Sequence, residues 1–263
     1  MKNILKKHIN SLKKNGITNL GNIFSKKECL KYKNRFEKLF FNFENKHKKL
    51  GNKVQALQNY FFYDQKLLKL LYIKKVDEIL QNLIDKDYVL ISSSLINRFN
   101  RSNVNTSNKL HIPNIGDSWH QDSRIIGGRR LDRGFSYNVI IMFDDFKEEN
   151  GSTQYIEKSH LIRDKFPQKN LNYSKYKNIL GKAGSVSIID TGLWHRGGKP
   201  SYSSSRWSIF SYYGPWFMKP YYDFPSMFKN NNKLDKKIKK LLHFNSTPPK
   251  SELKQTNTLT KLE

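Results

Sequence analysis

Residues 184–213 read GSVSIIDTGLWHRGGKPSYSSSRWSIFSYY: two β-rich runs joined by a Gly- and Ser-rich turn, with a histidine at the end of the first run and an arginine opening the second. Alternation within SVSIID and RWSIFSYY predicts strands. The same texture begins upstream at Tyr88, in YVLISSSLINRFN (88–100), FSYNVIIMF (135–143) and STQYIE (152–157). Short strands at such intervals predict a sandwich or jelly roll. Working outward, residues 2–14 carry Ile4, Leu5, His8, Ile9 and Leu12 at helical spacing, and Gly16 ends the pattern. SKKECLKYKNRFEKLF opens with a capping box, Ser25 and Glu28, whose side chains satisfy each other's backbone N–H groups. Further helical patterns lie near 65–72 and 75–84, and NNNKLDKKIKKLLHFN (230–245) predicts an amphipathic helix.

The expectation is a mainly β fold with flanking helices, in one domain over residues 1–245. Residues 1–87 form a helical N-terminal third, 88–215 the β core and 216–245 a C-terminal helical part; 246–263 read as a polar tail.

A chain of 263 residues with 37% hydrophobic and 13% aromatic content is long enough to bury a core. Its one cysteine, Cys29, excludes an internal disulfide or a cysteine-rich zinc site and fits a reducing cytoplasm. The basic amino terminus lacks an uninterrupted apolar stretch, and no later segment approaches the ~20 apolar residues of a membrane span, so a soluble, unprocessed protein is expected. The net charge of +26 invites a nucleic-acid partner, but only 10 of the 48 basic residues are arginine, and the lysines are scattered beside many asparagines. AT-rich codons give such a surplus, and nucleic acid is not the expected partner.

The stretch Ser118–Arg124, SWHQDSR, places His120 and Asp122 two residues apart. On an extended segment both leave the same face, as a two-toothed metal grip or as a hydrogen-bonded surface pair. His195 supplies a third donor. A 2-His-1-carboxylate triad holds ferrous iron by one face and leaves the other open for a co-substrate and O2; His120, Asp122 and His195 can supply it. Iron of this kind needs an electron-donating co-substrate, and the distal carboxylate of 2-oxoglutarate suits a permanently charged, bidentate partner. Arg206 is that partner on this reading. Ser208, on the same strand face, adds a hydroxyl, and Asn138, in a strand that crosses the pocket, is a further candidate contact to the co-substrate.

These residues resemble the phytanoyl-CoA dioxygenase-like (PhyH) family of Fe(II)/2-oxoglutarate oxygenases. WHQD (119–122), ENGSTQYIEKSH (149–160) and DTGLWHRGG with Arg206 after it carry the resemblance, which covers nearly the whole chain. It implies a double-stranded β-helix of the cupin-like jelly-roll kind, Fe(II) on His120, Asp122 and His195, and 2-oxoglutarate on Arg206. Glu157 and Lys158 stand where the family has Pro and Gly, and Ser152-Thr153 replace a small apolar pair. These departures bear on loop shape and substrate more than on iron.

His160 is expected to anchor a loop and not to touch metal, and Trp119 and Trp194 to point away from it. His111 reads as solvated, and His8, His47 and His243 carry no signal. Arg124, Arg129, Arg130 and Arg133 follow the metal motif closely, and codon bias does not explain four of ten arginines so placed. They suggest a small anionic substrate. The reading is an Fe(II)- and 2-oxoglutarate-dependent dioxygenase hydroxylating a small metabolite with release of succinate and CO2. The alternatives are a halogenase, which needs a small residue in place of Asp122, and a non-catalytic basic binding module of the same fold.

Overall fold

The computed structural model describes residues 2–46, 55–99, 118–123, 125–126, 129–130, 134–162, 173–201, 206–229 and 234–246, with 125–126 and 129–130 by backbone alone. Helix α1 (Lys2–Asn15) turns Leu5, Ile9 and Leu12 to the core, and the Gly16 N–H closes it on the Leu12 carbonyl at 2.9 Å. Next come β1 (Ile17–Asn22), α2 (Lys26–Lys46), β2 (Ala56–Gln58), α3 (Tyr60–Tyr63), a 3-10 helix (Gln65–Leu71) and α4 (Lys74–Leu83). The β-rich part holds β3 (Val89–Arg98), β4 (Ile125–Ile126), β5 (Arg129–Arg130), β6 (Tyr137–Met142), β7 (Thr153–Tyr155), β8 (Lys177–Asn178), β9 (Ser185–Asp190), β10 (His195–Gly197) and β11 (Arg206–Gly214). Two short helices, α5 (Phe224–Met227) and α6 (Lys236–Leu241), follow.

The larger sheet has the order β1-β9-β6-β11-β3-β2, the smaller one β10-β7-β8, and β4 pairs with β5 in a ribbon. All of these pairings are antiparallel. Alternation along the strands separates two apolar layers. On β6, Tyr137, Val139 and Ile141 join the helix-side core with Phe36 and Phe40, whereas Ile140 and Met142 face the space between the sheets with Phe146, Tyr155, Ile189 and Leu193. Aromatic edges tie helix to sheet: Trp207 meets Phe40 at 4.8 Å and Phe36 at 5.7 Å between ring centroids. No helix among the described residues is long and apolar enough to cross a membrane.

The capping box forms as expected. Ser25 N–H donates to Glu28 Oε2 at 2.8 Å and Glu28 N–H to Ser25 Oγ at 3.2 Å. The N-terminal third is not wholly helical, however. ITNLGN becomes an edge strand, with Ile17 opposite Ile189 and Thr18 opposite Ile188, and Ala56–Gln58 pairs with β3. Both are too short and too polar to show alternation; their pairing comes from the sheet edge they reach. Residues 65–71 wind as a 3-10 helix, capped by the Asp64 side chain, which also takes a two-pronged hydrogen bond from Arg35 at 2.8 Å. The tail beyond residue 246 lies outside the described residues.

Lys158 holds a left-handed backbone, φ 64°, at the start of the 3-10 turn Ser159–Leu161, and its N–H donates to the Asn15 carbonyl at 3.2 Å. That conformation costs a residue with a Cβ about 1–2 kcal/mol, so the glycine expected here from the family has a backbone reason. Because the Lys158 side chain is exposed, Lys158→Gly should stabilise the protein by about 0.5–1 kcal/mol after the added unfolded-state entropy. Denaturant unfolding checks this; an unchanged or lowered midpoint contradicts it.

Candidate metal centre

His120 lies on the extended segment Ser118–Ser123, and His195 opens β10; the two form an isolated antiparallel bridge. His120 N–H donates to the His195 carbonyl at 3.0 Å, and His195 N–H to the His120 carbonyl at 2.9 Å. The bridge brings the imidazole centroids to 4.3 Å. Asp122 is fixed by its own backbone N–H, which donates to the Thr191 carbonyl at 3.0 Å, and Ser123 N–H does the same. The turn carrying Thr191 is itself pinned: the Asp190 carboxylate accepts from Gly192 N–H at 2.7 Å and Gly134 N–H at 2.9 Å. DTGLWH is therefore a frame for two ligands. It carries His195 and seats Asp122.

One donor atom from each of His120, Asp122 and His195 lies within 4.8 Å of the others, and among the described residues this is the group of histidine and carboxylate side chains able to hold a metal ion. The Asp122 carboxylate stands 3.2 Å from His195 Nε2 and 3.7 Å from His120 Nε2. Each ring's Nδ1 lies against a carbonyl two residues back, Ser118 O at 2.7 Å for His120 and Leu193 O at 2.9 Å for His195. A carbonyl accepts only, so each Nδ1 carries the proton and each Nε2 offers a lone pair into the cavity. Burial works against charge on Asp122, but His195, with His120 and Asn138, outweighs it and holds the carboxyl below the usual range. Burial likewise presses His195 towards neutrality, and Asp122 overcomes it, leaving the imidazole above its ordinary value. A cation between the three satisfies both, and two imidazoles with one carboxylate form a donor set suited to a first-row divalent ion.

The triad opens on a cavity of about 210 Å3 lined also by Gln58, Ser92, Ser94, Asn138, Thr153 and Arg206. Arg206, 2% exposed, donates from Nη2 to the Gly151 carbonyl at 2.9 Å and lies 3.8 Å from the Phe146 ring centroid. Its Nε and Nη1 are buried with no protein partner, and so is Ser208 Oγ on the same face of β11. Burial, then the charge of Arg98, push the Arg206 guanidinium down to about 9, with Asp144 opposing. It remains a cation at neutral pH and, with two buried donors unmet, needs an anion.

The (PhyH) phytanoyl-CoA dioxygenase family model matches residues 12–206. The chain belongs to the phytanoyl-CoA dioxygenase family. No curated protein sequence matches it. Solved structures share the fold. HygX from Streptomyces hygroscopicus, crystallised with nickel and 2-oxoglutarate, superposes with TM-score 0.63 at 12% identity over 84% of this chain and 90% of that one. AviO1 from Streptomyces viridochromogenes Tue57 gives 0.59 at 18% identity over 82% and 96%. SnoN, a non-heme alpha-ketoglutarate-dependent epimerase from nogalamycin biosynthesis, gives 0.61 at 12% identity over 82% and 84%. At these identities the likeness is one of fold.

Within this phytanoyl-CoA dioxygenase family member, the structure brings His120, Asp122, His195, Asn138 and Arg206 to one cavity. Asn138 donates from Nδ2 to Asp122 Oδ2, so it orients a triad carboxylate. Trp119 and Trp194 are not among the cavity walls. Trp119 stacks under the Arg196 guanidinium at 4.6 Å, and Tyr173 touches both tryptophans at 5.7 and 5.6 Å. His160 Nε2 lies 3.2 Å from the Lys13 carbonyl, tying its loop to α1. His8 and His243, which carry no sequence signal, have structural partners in Thr18 and the Leu90 carbonyl. Arg124, Arg133, His47 and His111 lie outside the described residues, and Arg129 and Arg130 are placed by backbone in β5.

Sequence reading missed Arg98, the last residue of β3, which lines the cavity beside Arg206. The signal was available: Arg98 ends a strand whose positions 92, 94 and 96 share its face.

Three substitutions separate ligands from bystanders. His195→Ala should weaken Mn(II) or Fe(II) binding more than about 100-fold, and Asn138→Ala, which frees the Asp122 carboxylate, about 10–100-fold. His160→Ala should leave it unchanged. Metal titration with circular dichroism as the folding control reads this out; loss in the His160 variant with retention in the His195 variant would reverse the ligand assignment.

Proposed function

We propose that this protein is an Fe(II)- and 2-oxoglutarate-dependent oxygenase that hydroxylates a small molecule, with His120, Asp122 and His195 as the iron ligands and Arg206 and Ser208 as the seat of the co-substrate's distal carboxylate. The observation that carries the reading is the coincidence, in one cavity, of a pre-oriented two-histidine, one-carboxylate set and a buried arginine with unmet donors. Bound there, iron with 2-oxoglutarate and O2 supplies the oxidising power to replace a substrate C–H by C–OH, releasing succinate and CO2.

The chain's own contribution is binding, orientation and exclusion of water. His120 and His195 present Nε2 lone pairs because Ser118 O and Leu193 O hold the Nδ1 protons. Asn138 keeps Asp122 aimed at the same point. Arg206 keeps Nε and Nη1 as unmet donors beside a permanent charge, which suits a carboxylate, and Phe146 walls the guanidinium from solvent. Asp122 is the group a halogenase lacks, which favours hydroxylation over that alternative.

Arg206→Ala should raise the 2-oxoglutarate requirement strongly, by about 2–5 kcal/mol of binding, and Ser208→Ala by about 1 kcal/mol. Succinate release across 2-oxoglutarate concentrations measures both; unchanged affinity in the arginine variant removes that residue from the site. An anionic substrate is part of the same proposal, supported by the closeness of Arg129 and Arg130 in sequence to the metal motif. Replacing both by Gln should weaken substrate-triggered succinate release, more so at low salt. A double variant that takes its substrate as well as the parent at low and high salt argues for a neutral one.

A further inference from the structure

We propose that Arg196 is a positioning residue for the metal centre: stacked on Trp119 behind the His120–His195 bridge, it clamps the segment that carries two of the three ligands against β10. The inference rests on the reading of the triad as a metal site. That segment, Ser118–Ser123, joins β10 through an isolated bridge and not through a ladder. Both main-chain hydrogen bonds of the bridge are exchanged between His120 and His195. In an antiparallel pairing the next residues across, Trp119 and Arg196, then form the closer, non-hydrogen-bonded kind of pair, in which the contact comes from side chains.

His120 and His195 line the cavity, so alternation puts Trp119 and Arg196 on the face turned away from it. The Arg196 guanidinium carbon stands 4.6 Å from the Trp119 ring centroid and 5.7 Å from that of Tyr176, both within reach of a cation–π contact. The other edge of β10 fixes the guanidinium. Arg196 is the cross-strand partner of Gln154 on β7, and its Nε donates to Gln154 Oε1 at 2.8 Å. Gln154 is itself buried. One side chain thus reaches from β7 across β10 to the ligand segment. Because neighbours on an extended chain leave opposite faces, a Trp119 ring pinned on one face sets the direction of His120 on the other. Trp119 belongs to neither apolar layer of the core, so the contact acts on the segment and not on the fold. Without it, a smaller fraction of molecules holds the three donors together before the ion arrives, and the apparent affinity falls by that fraction.

The test measures Mn(II) dissociation constants on the full-length protein, by electron paramagnetic resonance of the free ion, for the parent, Arg196→Ala, Arg196→Lys, Trp119→Ala and the double variant Arg196→Ala/Trp119→Ala. Arg196→Ala should weaken binding about tenfold. Arg196→Lys, which keeps a cation over the ring and loses the planar fork, should weaken it by only about threefold. Trp119→Ala should match Arg196→Ala, and the double variant should lose no more than either alone, because each removes the same contact. Hydrogen exchange supplies a readout that a general loss of stability would not give: in Arg196→Ala the amides of 118–123 should exchange faster while those of β6 and β9 keep the parental rate. Unchanged Mn(II) affinity in Arg196→Ala, losses that multiply in the double variant, or faster exchange throughout the sheet each overturn the proposal and leave Arg196 as a brace of the outer face. Should Arg196→Ala not fold, Arg196→Lys is judged by the same affinity and exchange criteria. A parent that takes up no Mn(II) sinks the metal assignment before any variant is compared, and this inference with it.

Discussion

The two-way backbone bridge between His120 and His195 is the constraint on which the site depends. Two hydrogen bonds of 3.0 and 2.9 Å register the segment carrying the His-x-Asp motif against β10. A slip of one residue would turn His120 and Asp122 away from His195, because neighbours along an extended chain alternate. The same device then repeats at side-chain level: each imidazole leans on the carbonyl two residues before it. Ligand directions are thus set largely by main chain, and the side chains need only be of the right type. Thr191 extends the control to the carboxylate, since its carbonyl receives the N–H groups of Asp122 and Ser123.

A second constraint is crowding at the arginine end of the cavity. Gly151 and Gly198 meet backbone to backbone, and each offers its carbonyl to a guanidinium. Asn150 holds the preceding turn by accepting from Lys147 N–H at 3.0 Å and donating to the Asp145 carbonyl at 2.7 Å. The ENG of one loop and the HRGG of the other are one structural unit, although about 45 residues separate them in sequence. A loop that serves the metal through His195 serves the cations three residues later. The metal triad and the Arg206 end of the cavity cannot move independently.

Most of the long elements were legible because periodicity reports burial on one face. The long strands β3, β6, β9 and β11, and helices α1 and α4, lie within a residue or two of where alternation and helical spacing put them, and α2 starts at its capping box but runs on to Lys46. Two of the misses share one cause. β1 and β2 are short edge strands, and partners far along the chain impose their extended state. The triad was legible because its chemistry needs specific residue types at fixed spacing. Arg98 was overlooked although it ends a strand run whose positions 92, 94 and 96 share its face; that it stands opposite Arg206 is a pairing the sequence alone does not reveal. Asn138 drew notice for the right strand and face, but its contact with Asp122 depends on how two distant segments dock.

What the shared fold leaves open is the reaction's outcome. SnoN is an epimerase and a further fold neighbour, SnoK, a carbocyclase, so a common scaffold does not dictate one product. In this chain the fixed and the adaptable parts separate along a single pair of strands. Arg98 faces Arg206 at one end, then Ile96 faces Ser208, Ser94 faces Phe210 and Ser92 faces Tyr212; at ~3.3 Å per residue the row runs ~20 Å. The arginine end serves the co-substrate on the reading above. The far end, with Gln58 and Tyr221 beside it, offers hydroxyls, an amide and aromatic faces to the cavity, with no charged side chain among these walls. It can orient a ring or a hydroxyl over the metal but cannot neutralise an anion. An anionic substrate, as proposed above, would take its cation from outside this row.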